Sequence, residues 1–307
     1  MPKHWTRQPW TRAAVISAAL CLAAVAAFLD AWADLFSIVK ADEEASQAWL
    51  AAPVAAWILW SRRKGFARFR PRVTWVGPCM IAVGSAATAA GYQYAIQTLW
   101  HGGAVLALAG ALVTPLGLRF IQLAWPSLVA LVFLIPPPGR LRLSIAIPLQ
   151  ERTAAATHTL LSGLGVDIER TGSVLVYAGE QIAVAEACNG MRMVFALVAV
   201  GYAFAFAHPW RPWLRIAVLL STPFLAIAAN VARLIPTVLA YGMYPESVAK
   251  PFHDLAGWAM LAAVFVALTG VVAALEWAGL PVRSIPAGAV ADARATPPAR
   301  MKGARHA

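Results

Sequence analysis

Apolar residues fall in long runs along this chain, separated by short polar stretches. Ala13 to about Phe36 is the first run, followed by an acidic segment with Asp42, Glu43 and Glu44. Residues 48–60 form a shorter second run. Val73–Gly91, Trp100–Leu116 and Phe120–Ile135 are the third to fifth, the last closed by Pro136-Pro137-Pro138. Asn189 to about Phe206, Ile216–Ala229 and Leu255 to about Leu275 complete the set. Crossing a bilayer takes about 20 apolar residues, and only a helix or a closed barrel satisfies its backbone there. The pattern predicts an all-α polytopic membrane protein of about eight transmembrane helices. Basic residues ahead of the first run would also suit a signal peptide, but its length favours an uncleaved helix.

Residues 136–187 are the longest polar insertion. Within Pro148–Leu164, Leu149, Ala156, Leu160 and Leu164 share one helical face and Gly165 supplies a stop. This predicts an amphipathic helix lying along the membrane surface. Val174–Tyr177 and Gln181–Ala185 flank Ala178-Gly179-Glu180, which predicts a small outer β-hairpin. Its second strand leads directly into Cys188.

Composition agrees with the membrane reading. The chain is 60% hydrophobic and 13% charged, against about 25% charged in a soluble domain. Three cysteines at scattered spacing give neither a disulfide framework nor a zinc pattern, and no metal site or cofactor motif is present. The net charge of +11 invites a nucleic-acid reading, but the bases sit where topology signals sit. With both ends inside, Lys3, Arg7 and Arg12, six bases between Arg62 and Arg72, Arg119, Arg211 and Arg215, and the bases of the tail all face the cytoplasm. The partner implied is the lipid bilayer, with no nucleic acid. One membrane domain is expected over 1–282, its catalytic part at about 120–275, with a disordered Pro/Ala/Arg tail at 283–307.

This orientation puts three chemical groups on the outer side. Cys188 stands at a helix start, where unpaired N–H groups and the dipole favour thiolate. Glu186, Asn189 and Arg192 flank it, and Gly190 allows close backbone approach. Asn230 and Arg233 are spaced to share a helical face at the end of the seventh run. His253 precedes the eighth. Each has a plainer reading. Cysteines are common in apolar helices, and Cys21 and Cys79 are read that way. Arg233 could snorkel to the interface. His253 could cap its helix or pair with Asp254. The other histidines, His101 among them, have no comparable companions in the sequence.

The block Ala187-Cys188-Asn189-Gly190-Met191-Arg192, then Asn230-x-x-Arg233, then His253 before a final span, resembles the exosortase/archaeosortase family. Its usual block is A-C-S-G-[IL]-R; this chain has Asn189 at the serine and Met191 at the aliphatic position. His253, where archaeosortases commonly carry arginine, resembles the bacterial type. The resemblance implies a membrane cysteine transpeptidase, in the bacterial inner membrane, with Cys188, Arg233 and His253 as catalytic residues. It implies substrates that carry a C-terminal Pro-Glu-Pro-type motif, one helix and a basic cluster, and a link to exopolysaccharide export. Two other functions suit parts of the pattern. A polytopic transporter or exopolysaccharide assembly factor needs the spans without the chemistry. An intramembrane hydrolase shares the nucleophile but passes the acyl group to water.

Overall fold

A computed structural model describes residues 8–66, 69–184 and 190–280. The first apolar run forms α1 (Gln8–Ala27) and α2 (Leu29–Ala41), broken at Phe28, whose ψ of 33° leaves the helical region. A 3-10 turn at Glu43–Leu50 leads into α3 (Ala51–Ser61). Then α4 (Val76–Gln93) and α5 (Gln97–Leu116) pair as a tight helical hairpin. Their contact is backbone on backbone. Gly77, Gly84 and Gly91 recur every seventh residue, and a Cβ on them would lie 2.2 Å from Thr114 Oγ1, 2.6 Å from the Gly103 carbonyl and 2.2 Å from the Trp100 nitrogen. Small residues at such spacing are what lets membrane helices approach closely.

Next come α6 (Leu118–Ala130), a 3-10 turn at Leu131–Leu134, and α7 (Gly139–Gly163). The chain turns by 86° between them. The bend falls at Pro136-Pro137-Pro138, which removes three successive N–H donors. The amphipathic helix expected from Pro148 thus starts nine residues earlier, directly after the prolines. A three-stranded antiparallel sheet follows: β1 (Ile168–Thr171), β2 (Val174–Tyr177) and β3 (Glu180–Ala183), in that order. The turn between β2 and β3 has φ of +53° at Ala178 and +84° at Gly179, the two positive values of a type I′ hairpin. β2 and β3 are the expected hairpin; β1 is an added strand. The last three helices are α8 (Gly190–Ala207), α9 (Pro212–Met243) and α10 (Glu246–Trp277).

The molecule is mostly helical. Among the described residues, four helices are long and apolar enough to cross a membrane: Trp10–Ala27, α5, α9 and α10. The bent pair of α6 with its 3-10 turn and α7 makes a fifth if it counts as one span. The expected eight are therefore met only in part. α3 and the apolar stretch Val194–Ala207 are shorter, and α4 is diluted by the glycines, Ser85 and Thr88 that its packing uses.

Two ends of the bundle can be told apart. At one end, Arg62 donates from Nε to the Phe206 carbonyl (3.2 Å) and from Nη1 to the Leu123 carbonyl (3.4 Å). Burial first, and the charge of Arg215 second, draw the Arg62 pKa below its ordinary value. The Arg72 N–H reaches the Leu116 carbonyl, and Trp10 meets Phe69 edge-on. The basic segments therefore gather together. At the other end of α5, Asp34 meets His101, and Arg142 of α7 donates to Asp42 at 2.9 Å.

Candidate active site

The expectation ended the seventh helix at Ala229. Instead α9 continues 14 residues beyond that point. Leu234 and Val238 explain why: both are buried against Ala154 and Leu161 of α7 and Leu175, Ile182 and Val184 of the sheet region. The polar residues that looked like a helix end form a stripe beside this apolar one on a continuing helix. Asn230, Arg233 and Thr237, spaced by three and four, share one face and are 5%, 3% and 0% exposed. The sheet is locked to the same helix. Gly242 leaves room for the Tyr177 ring, whose Cδ1 would lie 2.2 Å from a Cβ there.

A short turn at Tyr244-Pro245 reverses the chain into α10, so His253 returns alongside Arg233. His253 is 6% exposed and lies within α10, two residues after Pro251, not ahead of the helix as a cap. Arg233 Nη2 is 3.1 Å from His253 Nδ1 and closer still to Nε2, and it donates to the His253 carbonyl at 3.3 Å. A guanidinium has donors and no acceptor. Arg233 therefore donates, and the ring nitrogen that accepts carries a lone pair.

Of the residues singled out in the sequence, Arg233 and His253 meet, and Asn230 stands one turn before Arg233. The buried Oδ1 of Asn230 has no hydrogen-bond partner among the described residues. Arg192 lies in the first turn of α8. Cys188, Glu186 and Asn189 lie outside the described residues, as does the 283–307 tail; the segment holding the cysteine connects Val184 to Gly190.

One correction concerns His101, which the sequence left without a companion. It is 1% exposed in α5, stacks on Trp100, and has Nε2 3.0 Å from Asp34 of α2. The signal available was Asp34 itself, a carboxylate inside an apolar run, which is costly unless paired. Thr237 was also missed. Its hydroxyl donates to the Arg233 carbonyl at 2.9 Å, and nothing but its spacing from Arg233 could have flagged it.

A family model described as transmembrane exosortase matches residues 32–270. The chain belongs to the transmembrane exosortase family. The matched stretch runs from within α2 to within α10, so the Arg233–His253 contact and the cysteine segment both lie inside the exosortase region. No match was found among curated proteins or among solved structures. Membership of a transmembrane exosortase family and the long apolar helices agree that this is a membrane protein.

Proposed function

We propose that this exosortase is a membrane cysteine transpeptidase with Cys188, Arg233 and His253 as its catalytic groups. It cleaves the C-terminal sorting signals of exported proteins, of the Pro-Glu-Pro, helix and basic-cluster kind, and passes them to an acceptor in a pathway tied to exopolysaccharide export. The observation that carries the reading is the buried contact between Arg233 and His253. A base and a fixed cation held together, away from water, are what thiol activation and oxyanion stabilisation require.

The reaction then runs as follows. His253 takes the Cys188 S–H proton, and the thiolate attacks the scissile carbonyl. The oxygen becomes an anion opposite the Arg233 guanidinium. Collapse breaks the C–N bond, the imidazolium returns its proton to the leaving amine, and a thioester remains on Cys188. The acceptor nucleophile gives its proton to His253 and attacks the thioester carbonyl; the C–S bond breaks, and the departing Cys188 sulfur takes the proton back from the imidazolium. Asn230 orients Arg233 or the substrate backbone, and Glu186, Asn189 and Arg192 support the cysteine segment, with Arg192 gripping an acidic motif residue.

The membrane geometry supports the same reading. We place both termini in the cytoplasm, eight crossings in the inner membrane, the catalytic part at about 120–275 of a 1–282 membrane domain, and the site on the periplasmic face. The gathering of Arg62, Arg72 and Arg215 at one end of the bundle favours this orientation. A substrate anchored by its own helix would meet the site at a fixed depth, a gain in proximity. The transporter alternative draws on one observation, the hydrogen-bonded Asp34–His101 pair, which is a single polar contact and not a path of polar groups among the described residues.

Cleavage of a reporter with a Pro-Glu-Pro motif, helix and basic tail tests the proposal. Cys188→Ala and Cys188→Ser are expected to abolish cleavage while the protein stays in the membrane. Retained cleavage by either refutes it.

A further inference from the structure

Strand β3 is an edge of the sheet among the described residues. Tyr177 and Glu180 close a two-residue turn, so they form a hydrogen-bonded pair. The Val184 N–H bonds to the Ser173 carbonyl at 2.9 Å, which sets the same alternation four residues on. Glu180, Ile182 and Val184 therefore turn their main-chain groups toward β2. Gln181 and Ala183 turn theirs outward. Neither has a hydrogen-bond partner for those groups among the described residues.

All four residues of β3 line a cavity of about 520 Å³, together with Tyr241, Tyr244, Glu246 and Lys250. This volume is in the range of ligand sites, roughly 300–1,000 Å³. Its charges, Glu180, Glu246 and Lys250, have both signs and select no side-chain charge. The strand that lines it has two N–H groups and two carbonyls, those of Gln181 and Ala183, turned away from β2 in strand spacing. β3 also runs on into the segment that carries Cys188.

We propose that this cavity binds the substrate as an added β-strand, with an extended peptide segment pairing with Gln181 and Ala183. This deepens the transpeptidase reading and rests on it. Strand addition takes its affinity from main-chain bonds and needs little of the side chains. At about 3.3 Å per residue the edge spans about four residues. A Pro-x-Pro segment suits it. Residues two apart share an edge, so both prolines, which lack N–H, point away, and the central residue presents its N–H and carbonyl to β3.

The test is an N-methyl scan of a soluble peptide with a central Pro-Glu-Pro, binding to full-length Cys188→Ala protein in nanodiscs. Using the protein without its thiol separates binding from cleavage. Methylation of the central Glu nitrogen is expected to weaken binding on the order of tenfold, the loss of about one hydrogen bond. Flanking positions are expected to alternate with a period of two. Gln181→Pro, which deletes an outward N–H and spares the pairing to β2, is expected to weaken the parent peptide similarly. Equal tolerance of methylation at every position, or no binding of the parent peptide, overturns strand addition. Cleavage surviving Cys188→Ala would instead overturn the transpeptidase reading.

Discussion

Arg233 carries a charge into a place where charge is expensive, and its neighbours show how that is tolerated. Its Nη2 serves both the ring and the carbonyl of His253. A lysine would keep the charge but bring a single ammonium on a flexible stem, without the planar fork. Arg233→Lys is therefore expected to lower reporter cleavage on the order of 100-fold, with the protein still inserted. A rate within twofold of wild type would remove Arg233 from the chemistry. The Asp34–His101 pair is a structural counterpart. Asp34→Ala leaves a fully buried imidazole without its partner and is expected to cost about 1–3 kcal/mol, read as a lower unfolding temperature in detergent. Unchanged stability would mean that the pair contributes nothing to holding α2 on α5.

At the scale of elements, two close approaches make the sharpest expectations. Gly242→Ala drives a methyl into the Tyr177 ring. Overpacking of this kind is expected to cost about 1–3 kcal/mol and to reduce cleavage by shifting the sheet on α9. Tyr177→Ala in the same protein should recover stability, because it removes the obstacle. No penalty from Gly242→Ala would show that the sheet is not seated on α9. In the α4–α5 hairpin, Gly84→Leu is expected to prevent folding into the membrane, since the obstacle there is backbone. The β2–β3 hairpin was legible as alternation around Ala178-Gly179, whereas the seven-residue glycine spacing of α4 went unread, because hydropathy registers Gly77, Gly84 and Gly91 only as dilution of an apolar run. The end of α9 was not. Hydropathy treats Asn230 and Arg233 as a stop, because it cannot see that this buried polar stripe runs beside Leu234 and Val238, which pack on α7 and the sheet. The α6–α7 bend was legible only as three prolines, without its angle. Of the candidate site, the residue types and their order along the chain were readable. That Arg233 and His253 touch was not, because helix-to-helix approach depends on packing that no local window contains.

For the whole molecule, the account requires one polar surface for the sheet and another for the basic segments. A cysteine introduced at Arg170 of β1, in a protein lacking Cys21, Cys79 and Cys188, is expected to react with an impermeant maleimide on intact spheroplasts. One at Lys64 is expected to react only after the membrane is opened. The reverse pattern would invert the topology and move the site to the cytoplasm. The claim on which the rest depends is that the acyl group passes through the sulfur of Cys188. Mass spectrometry of the exosortase quenched during turnover of the reporter tests it most directly. The account expects the N-terminal product of the reporter bound to Cys188 as a hydroxylamine-sensitive thioester; turnover with the acyl group on any other residue, or with none, would contradict it.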